Sequence, residues 1–277
     1  MLPWWRDHLR IGLTRHYLSV VRLSKGVHPH IAGKTLIPFL SQPSQHPWIV
    51  AAKTLETFVS HWRGQRADVT LILSNEFARY VMVPWSNQLD DSDEELAFTR
   101  YCFSKAYGDF AQHWTPKISY EPSGKNRLAC AINGQLIEMI KNSFSNSKLK
   151  LISIQPLMMS AINLWRNQIK NHSAWFLLLE GNHAYLAQIE KGDWRSLRHT
   201  KWHPSSPKEL LRFIQRERLN AGLSEQIKLP LLVFAPGFVN PVVAKLAGWS
   251  IFHLTPDERK GFSPSSDIRH AITMCYN

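Results

Sequence analysis

Apolar residues along this chain recur with two different periods, and the order in which those periods follow one another occurs twice. Short apolar runs at 11–13 and 18–23 meet at the stretch 14–17, and 31–37 adds a third run; together they predict an antiparallel meander. A loop rich in Pro, Ser and Gln follows at 38–47. The spacing then turns helical, with Trp48, Ala51, Ala52, Leu55, Phe58, Val59 and Trp62 on one face. The continuous apolar run 69–73 has the length and character of a strand covered on both sides.

The middle of the chain reads differently. A strand at 78–83 is closed by Pro84, and Ser92 with Glu95 forms a capping box ahead of a helix to about Tyr107. Strands are predicted at 116–120 and 127–132, joined by a turn at 122–126. A helix follows at 134–144, then a strand at 149–154, and Pro156 opens a helix to about Ile169.

A second set begins after Asn171. Strands at 175–179, 184–190 and 194–201 are separated by Gly181-Asn182 and Gly192-Asp193, both hairpin-type turns. Next come a helix at 206–219, a strand at 231–235, a short helix at 239–246, a strand at 249–254 and a last helix near 267–274. Strand-strand-strand-helix-strand therefore occurs twice, as a repeat of elements and not of residues. That plan resembles the one from which actin-like ATPases, sugar kinases and Hsp70-type domains are built, in which a nucleotide normally binds between the copies.

Composition narrows the picture without deciding it. The 277 residues bury a sizeable core and allow one large domain or two. Eleven Trp beside 13 Phe and 7 Tyr serve either a ring-filled core or an aromatic partner surface. Lys and Arg outnumber Asp and Glu by 33 to 21, a net +12 that draws a protein toward nucleic acid, anionic lipid or an acidic partner. The densest cluster, Lys208, Arg212, Arg216 and Arg218, is interspersed with Glu209 and Glu217 on one predicted helix, the pattern of a solvated face. Cys102, Cys130 and Cys275 are odd in number and far apart, which fits neither a disulfide scaffold nor zinc. No secretory h-region and no run of membrane-spanning length is present, so a soluble cytoplasmic protein is expected.

Candidate chemistry is sparse. His28 and His30 flank Pro29 with no third ligand nearby; His199 and His203 are interrupted by a strand end. The acidic run Asp90, Asp91, Asp93, Glu94 and Glu95 complements a helix N-terminus or docks a basic partner. No GxSxG, P-loop, HExxH or GxGxxG occurs, and no catalytic or metal-ligating residue is nominated.

Five stretches carry a resemblance. IGLTRHYLSVVRL (11–23) is similar to the first phosphate hairpin of the PilM family, the actin-like assembly proteins of type IV pili. LLLEGNHAYLAQIEKGDWRSLRHTKW (177–202) resembles the second hairpin, and LLVFAPGFVNPVVAKLAGWSIFHL (231–254) the segment that covers adenosine. VTLILSNEFARYVMVPWS (69–86) and ISIQPLMMSAINLWR (152–166) resemble the cytoplasmic actin-like part of type II secretion and mannose-sensitive pilus proteins. The resemblance implies a two-lobed α/β fold, actin-like (ribonuclease H-like), with an inserted α+β subdomain. The first lobe would span 1–169 with the insertion at about 76–150. The second would span 170–277, its last helix (267–274) packing back on the first.

The same comparison implies a worn nucleotide cleft at Thr14, Glu180, Gly181, Asn182 and Gly237. The family hairpin carries Asp-x-Gly and small residues, so that a carboxylate positions Mg²⁺ and backbone amides close on phosphate. Here the aligned residues are Gly12, Leu13, Thr14, Arg15, His16 and Tyr17, with no carboxylate. Glu180-Gly181-Asn182 keeps one, although Gly-Asn also serves a type I′ turn with no ligand. Pro236 beside Gly237 removes an amide donor. The expectation is a scaffold without bound ATP or Mg²⁺, resting against an anionic inner membrane. It would hold the cytoplasmic N-terminal peptide of an inner-membrane assembly protein and touch an assembly ATPase. The alternatives are an active ATPase or kinase of this fold, with Glu180 orienting water or Mg²⁺, and a nucleic-acid-binding protein suggested by charge and aromatics together.

Overall fold

The computed structural model describes residues 6–26, 29–40, 46–89, 91–119, 121–170, 172–204, 206–222, 229–238 and 249–275. Its first sheet is built from β1 (Asp7–Leu13), β2 (Tyr17–Leu23), β3 (Ile31–Pro38), β4 (Ala67–Leu73) and β8 (Leu149–Pro156), in the order β3-β2-β1-β4-β8. The first three strands are antiparallel, while β4 and β8 run parallel to β1. The second sheet repeats this plan with β9 (Ala174–Glu180), β10 (His183–Glu190), β11 (Asp193–Lys201), β12 (Leu231–Phe234) and β13 (Ile251–Leu254), ordered β11-β10-β9-β12-β13. The two series read from hydrophobic periodicity are thus two sheets of one topology.

The central strands are apolar because both their faces are covered. Every residue of β9 is buried. Helix α1 (Pro47–Ser60) has Pro in its first turn and buries Ala51, Ala52, Leu55 and Val59 against the first sheet. Beside it lies α3 (Gly134–Ser145), capped by the Asn133 side chain and burying Leu136, Ile140 and Phe144 in the same core. Helix α6 (Pro207–Asn220) covers the second sheet with Leu210, Phe213 and Ile214. Trp165, Trp175, Trp194 and Trp202 are buried, and Trp48, Trp62, Trp114 and Trp249 pack partly buried against the cores, so the core reading accounts for most of the described tryptophans.

The separate middle unit is a third sheet, β5-β7-β6, from β5 (Ala78–Val83), β6 (Trp114–Ile118) and β7 (Arg127–Asn133), with α2 (Ser92–Tyr107) on one side. It occupies 78–133, a shorter stretch than the 76–150 expected. Residues 134–149 belong to the first core through α3 and the start of β8.

Several local expectations are corrected. The cap of α2 is Asp91, whose carboxylate accepts from the Asp93 and Glu94 amides; Ser92 is already helical, and Glu95 pairs with Arg127 instead of closing a capping box. The helix expected from Pro156 divides into α4 (Leu157–Leu164) and α5 (Arg166–Ile169), and Pro156 itself ends β8. The β10–β11 turn sits on Lys191-Gly192, both with positive φ, one residue earlier than expected. Among the described residues only Gly181, not Asn182, has positive φ in the β9–β10 turn, which is the type II′ and not the type I′ pattern. The helix expected at 239–246 and His28 lie outside the described residues.

The last segment, Ile268–Met274, is a 3₁₀ turn and not an α-helix. It crosses to the first sheet, where Lys34 bridges Asp267 at 2.7 Å and Met274 packs with Val21 and Leu23. Gly12 makes that crossing possible: a Cβ there would lie 2.6 Å from both Ile272 Cγ2 and Ser19 Oγ. Gly12→Ala is therefore expected to destabilise by about 1–3 kcal/mol through overpacking, read as a lower denaturation midpoint at unchanged m-value. An unchanged midpoint would show that the C-terminal segment yields without cost.

Candidate functional site

The β1–β2 and β9–β10 hairpins hold equivalent places in the two sheets. In the first, Thr14 organises the turn around itself. Its hydroxyl donates to the Tyr17 carbonyl at 2.8 Å and accepts from the amides of Tyr17 at 3.0 Å and His16 at 3.2 Å. Backbone donors of the kind that cradle a phosphate in a nest are here turned onto a buried side chain.

In the second hairpin Glu180 is the last residue of β9 and is buried. Its Oε2 accepts from the Asn75 amide at 2.9 Å, across the lobe boundary. Among the described residues Oε1 meets no partner in hydrogen-bonding geometry. Burial pushes the carboxyl up to about 7; the Ser74 hydroxyl and Asn75 pull it partly back, and Glu76 adds repulsion. Gly181 turns the chain at φ 55° with its α-carbon facing Glu76, and the Asn182 carbonyl is taken by Trp202 of its own lobe. Gly237, φ 91°, sits in the turn after β12, and no described residue lies within 4 Å of where a Cβ would be.

Asn75 joins the lobes. It lies in the 3₁₀ turn Asn75–Phe77 after β4 and is fully buried. Its side-chain Oδ1 accepts from Tyr80 Oη at 2.5 Å and from the Met158 amide at 3.0 Å, both in the first lobe. Its carbonyl accepts from Tyr185 Oη at 3.2 Å in the second lobe. The Tyr80 and Tyr185 rings meet edge to face at 6.2 Å. Burial, followed by the Glu180 charge, pushes Tyr17 up to about 12 and raises Tyr185. Tyr80 is raised by burial first, with Glu180 contributing. Cys275, raised chiefly by burial, also lies within the field of Glu180. Tyr17, Tyr80, Tyr185 and Cys275 thus all lie within the field of the second-hairpin carboxylate.

At the edge of this cluster His183 and His199 stack at 5.0 Å with Nδ1 and Nε2 only 2.7 Å apart, and Tyr185 stacks on His199 at 4.6 Å. Burial and the neighbouring His183 hold His199 down to about 4. Arg15 reaches Glu76 at 3.8 Å beside them. His199 thus pairs with His183 across the sheet. Among the described residues no three ligating side chains gather to hold a metal. Two open surface grooves lie elsewhere: about 480 Å³ between Ile37, Phe58 and Trp62, and about 570 Å³ beside Lys34 and Asp267.

Asn75, Tyr80, Tyr185 and His183 are absent from the residues the sequence nominated. Asn75 looks like an ordinary turn residue after a strand, and only the pairing of residues about a hundred positions apart gives it a role.

Two equivalent sheets with their hairpins facing across a shared boundary define the two-lobed actin-like ATPase class of fold. Within it, the chain superposes on the cytoplasmic domain of EpsL, an inner-membrane component of the type II secretion system of Vibrio cholerae. That match has a TM-score of 0.60 at 9% identity, covering 97% of this chain and 94% of that one. It superposes on the PilM–PilN type IV pilus biogenesis complex with a TM-score of 0.65 at 12% identity, covering 97% and 96%. A Bacteroides thetaiotaomicron protein of actin-like ATPase fold and unknown function matches with a TM-score of 0.54 at 8% identity, covering 86% of each chain. No protein-family model and no curated protein matches the sequence. Among the described residues no helix is long and apolar enough to cross a membrane.

Proposed function

We propose that this chain is a non-catalytic actin-fold scaffold of a type IV pilus or type II secretion assembly, held at the inner membrane by a short cytoplasmic segment of a membrane component. The observation that carries the reading is the direct lobe-to-lobe bonding at Asn75. Glu180 and Tyr185 grip its backbone at the boundary between the lobes, where the resemblance to nucleotide-binding members implies the worn cleft. The Thr14 hydroxyl supports it by taking the turn amides of the first hairpin. Relatives of this shape point the same way: one is an inner-membrane secretion component and another was solved with PilN. A scaffold of this kind holds an extended partner segment through strand-edge hydrogen bonds and side-chain pockets.

The test is thermal melting with and without Mg-ATP. A ligand that binds only the folded state at about 100 times its dissociation constant adds about 2.7 kcal/mol, a shift of several degrees for a chain of this size. The expected result is no shift. A magnesium-dependent rise would overturn the non-catalytic reading and put an ATPase using Glu180 in its place. Titration with a synthetic N-terminal peptide of the membrane component should give saturable binding in the same buffer.

A further inference from the structure

The basic cluster that reads as a solvated helix face in the sequence takes on a definite shape in the fold. Leu210, Phe213, Ile214 and Glu217 point inward from α6. At helical spacing this leaves Lys208, Arg212 and Arg216 on the outer face, four residues apart, with Leu219 between them in projection. The helix contains two acids, Glu209 and Glu217. Glu217 is buried, and its carboxylate meets Arg216 at 3.0 Å and Arg198 of the neighbouring strand at 3.6 Å, while both guanidinium side chains stay 64% exposed. One of the two negative charges is thus withdrawn beneath the surface and anchors two cations above it. Leu219 stands 73% exposed at the end of the stripe.

We infer that the outer face of α6, with Arg198 beside it, is a docking surface for an anionic lipid bilayer. It deepens the membrane-scaffold reading above and rests on it for its cellular setting. A flat row of cations matches a headgroup plane, each contributing through a field that decays within a Debye length. A single protruding leucine among them suits the boundary between headgroups and acyl chains. Nucleic acid fits this face less well: Phe213 is buried under the Arg216 guanidinium at 5.6 Å, and the partly buried Trp249 ring is covered by Arg218 at 5.4 Å, so neither offers an open platform for a base.

Co-sedimentation with vesicles tests the assignment. The full chain should sediment with mixed phosphatidylglycerol–phosphatidylcholine vesicles and stay in the supernatant with phosphatidylcholine alone. Lys208→Gln with Arg212→Gln should lower the partition about thirtyfold, from about 1 kcal/mol for each cation near the surface. Lys53→Gln with Lys148→Gln, two exposed positions on the first lobe, removes the same net charge and should leave binding unchanged. Leu219→Gln should weaken binding at constant charge. Equal loss in both double variants, binding indifferent to lipid charge, or tighter binding to duplex DNA than to the vesicles would each overturn the surface. Because melting with Mg-ATP and peptide titration do not involve α6, a failure here is distinguishable from failure of the scaffold reading.

Discussion

Replacing Asn75 by alanine is expected to destabilise the protein by about 3–5 kcal/mol, the largest effect of any single substitution at the lobe boundary. The side chain is fully buried, and its one oxygen serves two donors, Tyr80 Oη and the Met158 amide. Truncation removes both bonds at once and leaves two buried donors facing a methyl group. Each orphaned donor costs about 1–3 kcal/mol, and the vacated volume adds to that. The backbone bonds to Glu180 and Tyr185 remain in place, so the loss measures the side chain's share of the junction. Urea unfolding followed by tryptophan fluorescence reads it directly. A loss below about 1 kcal/mol would mean that Tyr80 and Met158 find other partners, and that Asn75 is not the joint between the lobes.

That junction separates what the sequence announces from what it conceals. The doubled element order was legible because each strand of a covered sheet must be apolar, and three antiparallel strands followed by a helix and a parallel strand leave a recognisable series. β9 and β4 were visible for that reason alone. Element ends were less so. Asp91 and Ser92 are adjacent and both can cap a helix, and the Ser-x-x-Glu spacing points to the wrong one because Glu95 is drawn away by Arg127. The Lys191-Gly192 turn hid behind the stronger Gly-Asp signal because a lysine with positive φ is uncommon.

Of the nominated cleft residues, Glu180 is the one whose side chain bonds across the boundary. Its position at the end of a central strand was foreseeable, but its partner was not, since Asn75 lies 105 residues earlier. The His183–His199 pair was missed for a related cause. Two histidines on neighbouring strands meet only when the register is known, and here Tyr185 pairs with His199 while His183 pairs with Lys201. In the scaffold reading proposed above, Glu180 serves to orient the other lobe through the Asn75 amide, where the alternative reading would have it orient a ligand.

The charge on Glu180 gives that closure a pH dependence of definite sign. Its carboxyl, ordinarily near 4.5, is pushed up to about 7 by burial in the folded protein. Below 4.5 both folded and unfolded chains carry the proton and the group contributes nothing to pH dependence. Between 4.5 and 7 the folded state keeps a proton that the unfolded state has released, so stability falls as pH rises, reaching a penalty of about 3 kcal/mol above that window. His199 acts in the opposite direction: held down to about 4 from 6.5, it makes folding less favourable as pH falls through that range. The two slopes offset each other in the wild-type profile, and a single substitution separates them. Glu180→Gln keeps an acceptor for the Asn75 amide and removes the buried charge. It should therefore stabilise the protein by up to about 3 kcal/mol at about pH 8, with the gain shrinking to nothing near pH 4.5. Urea denaturation of both proteins at the two pH values decides it. A gap that does not change with pH, or a variant less stable than wild type at the higher value, would mean that the Glu180 carboxylate is satisfied as an anion where it lies. The lobes would then be joined by a paired charge, and the position would again suit a cation or a phosphate-bound metal brought in from outside.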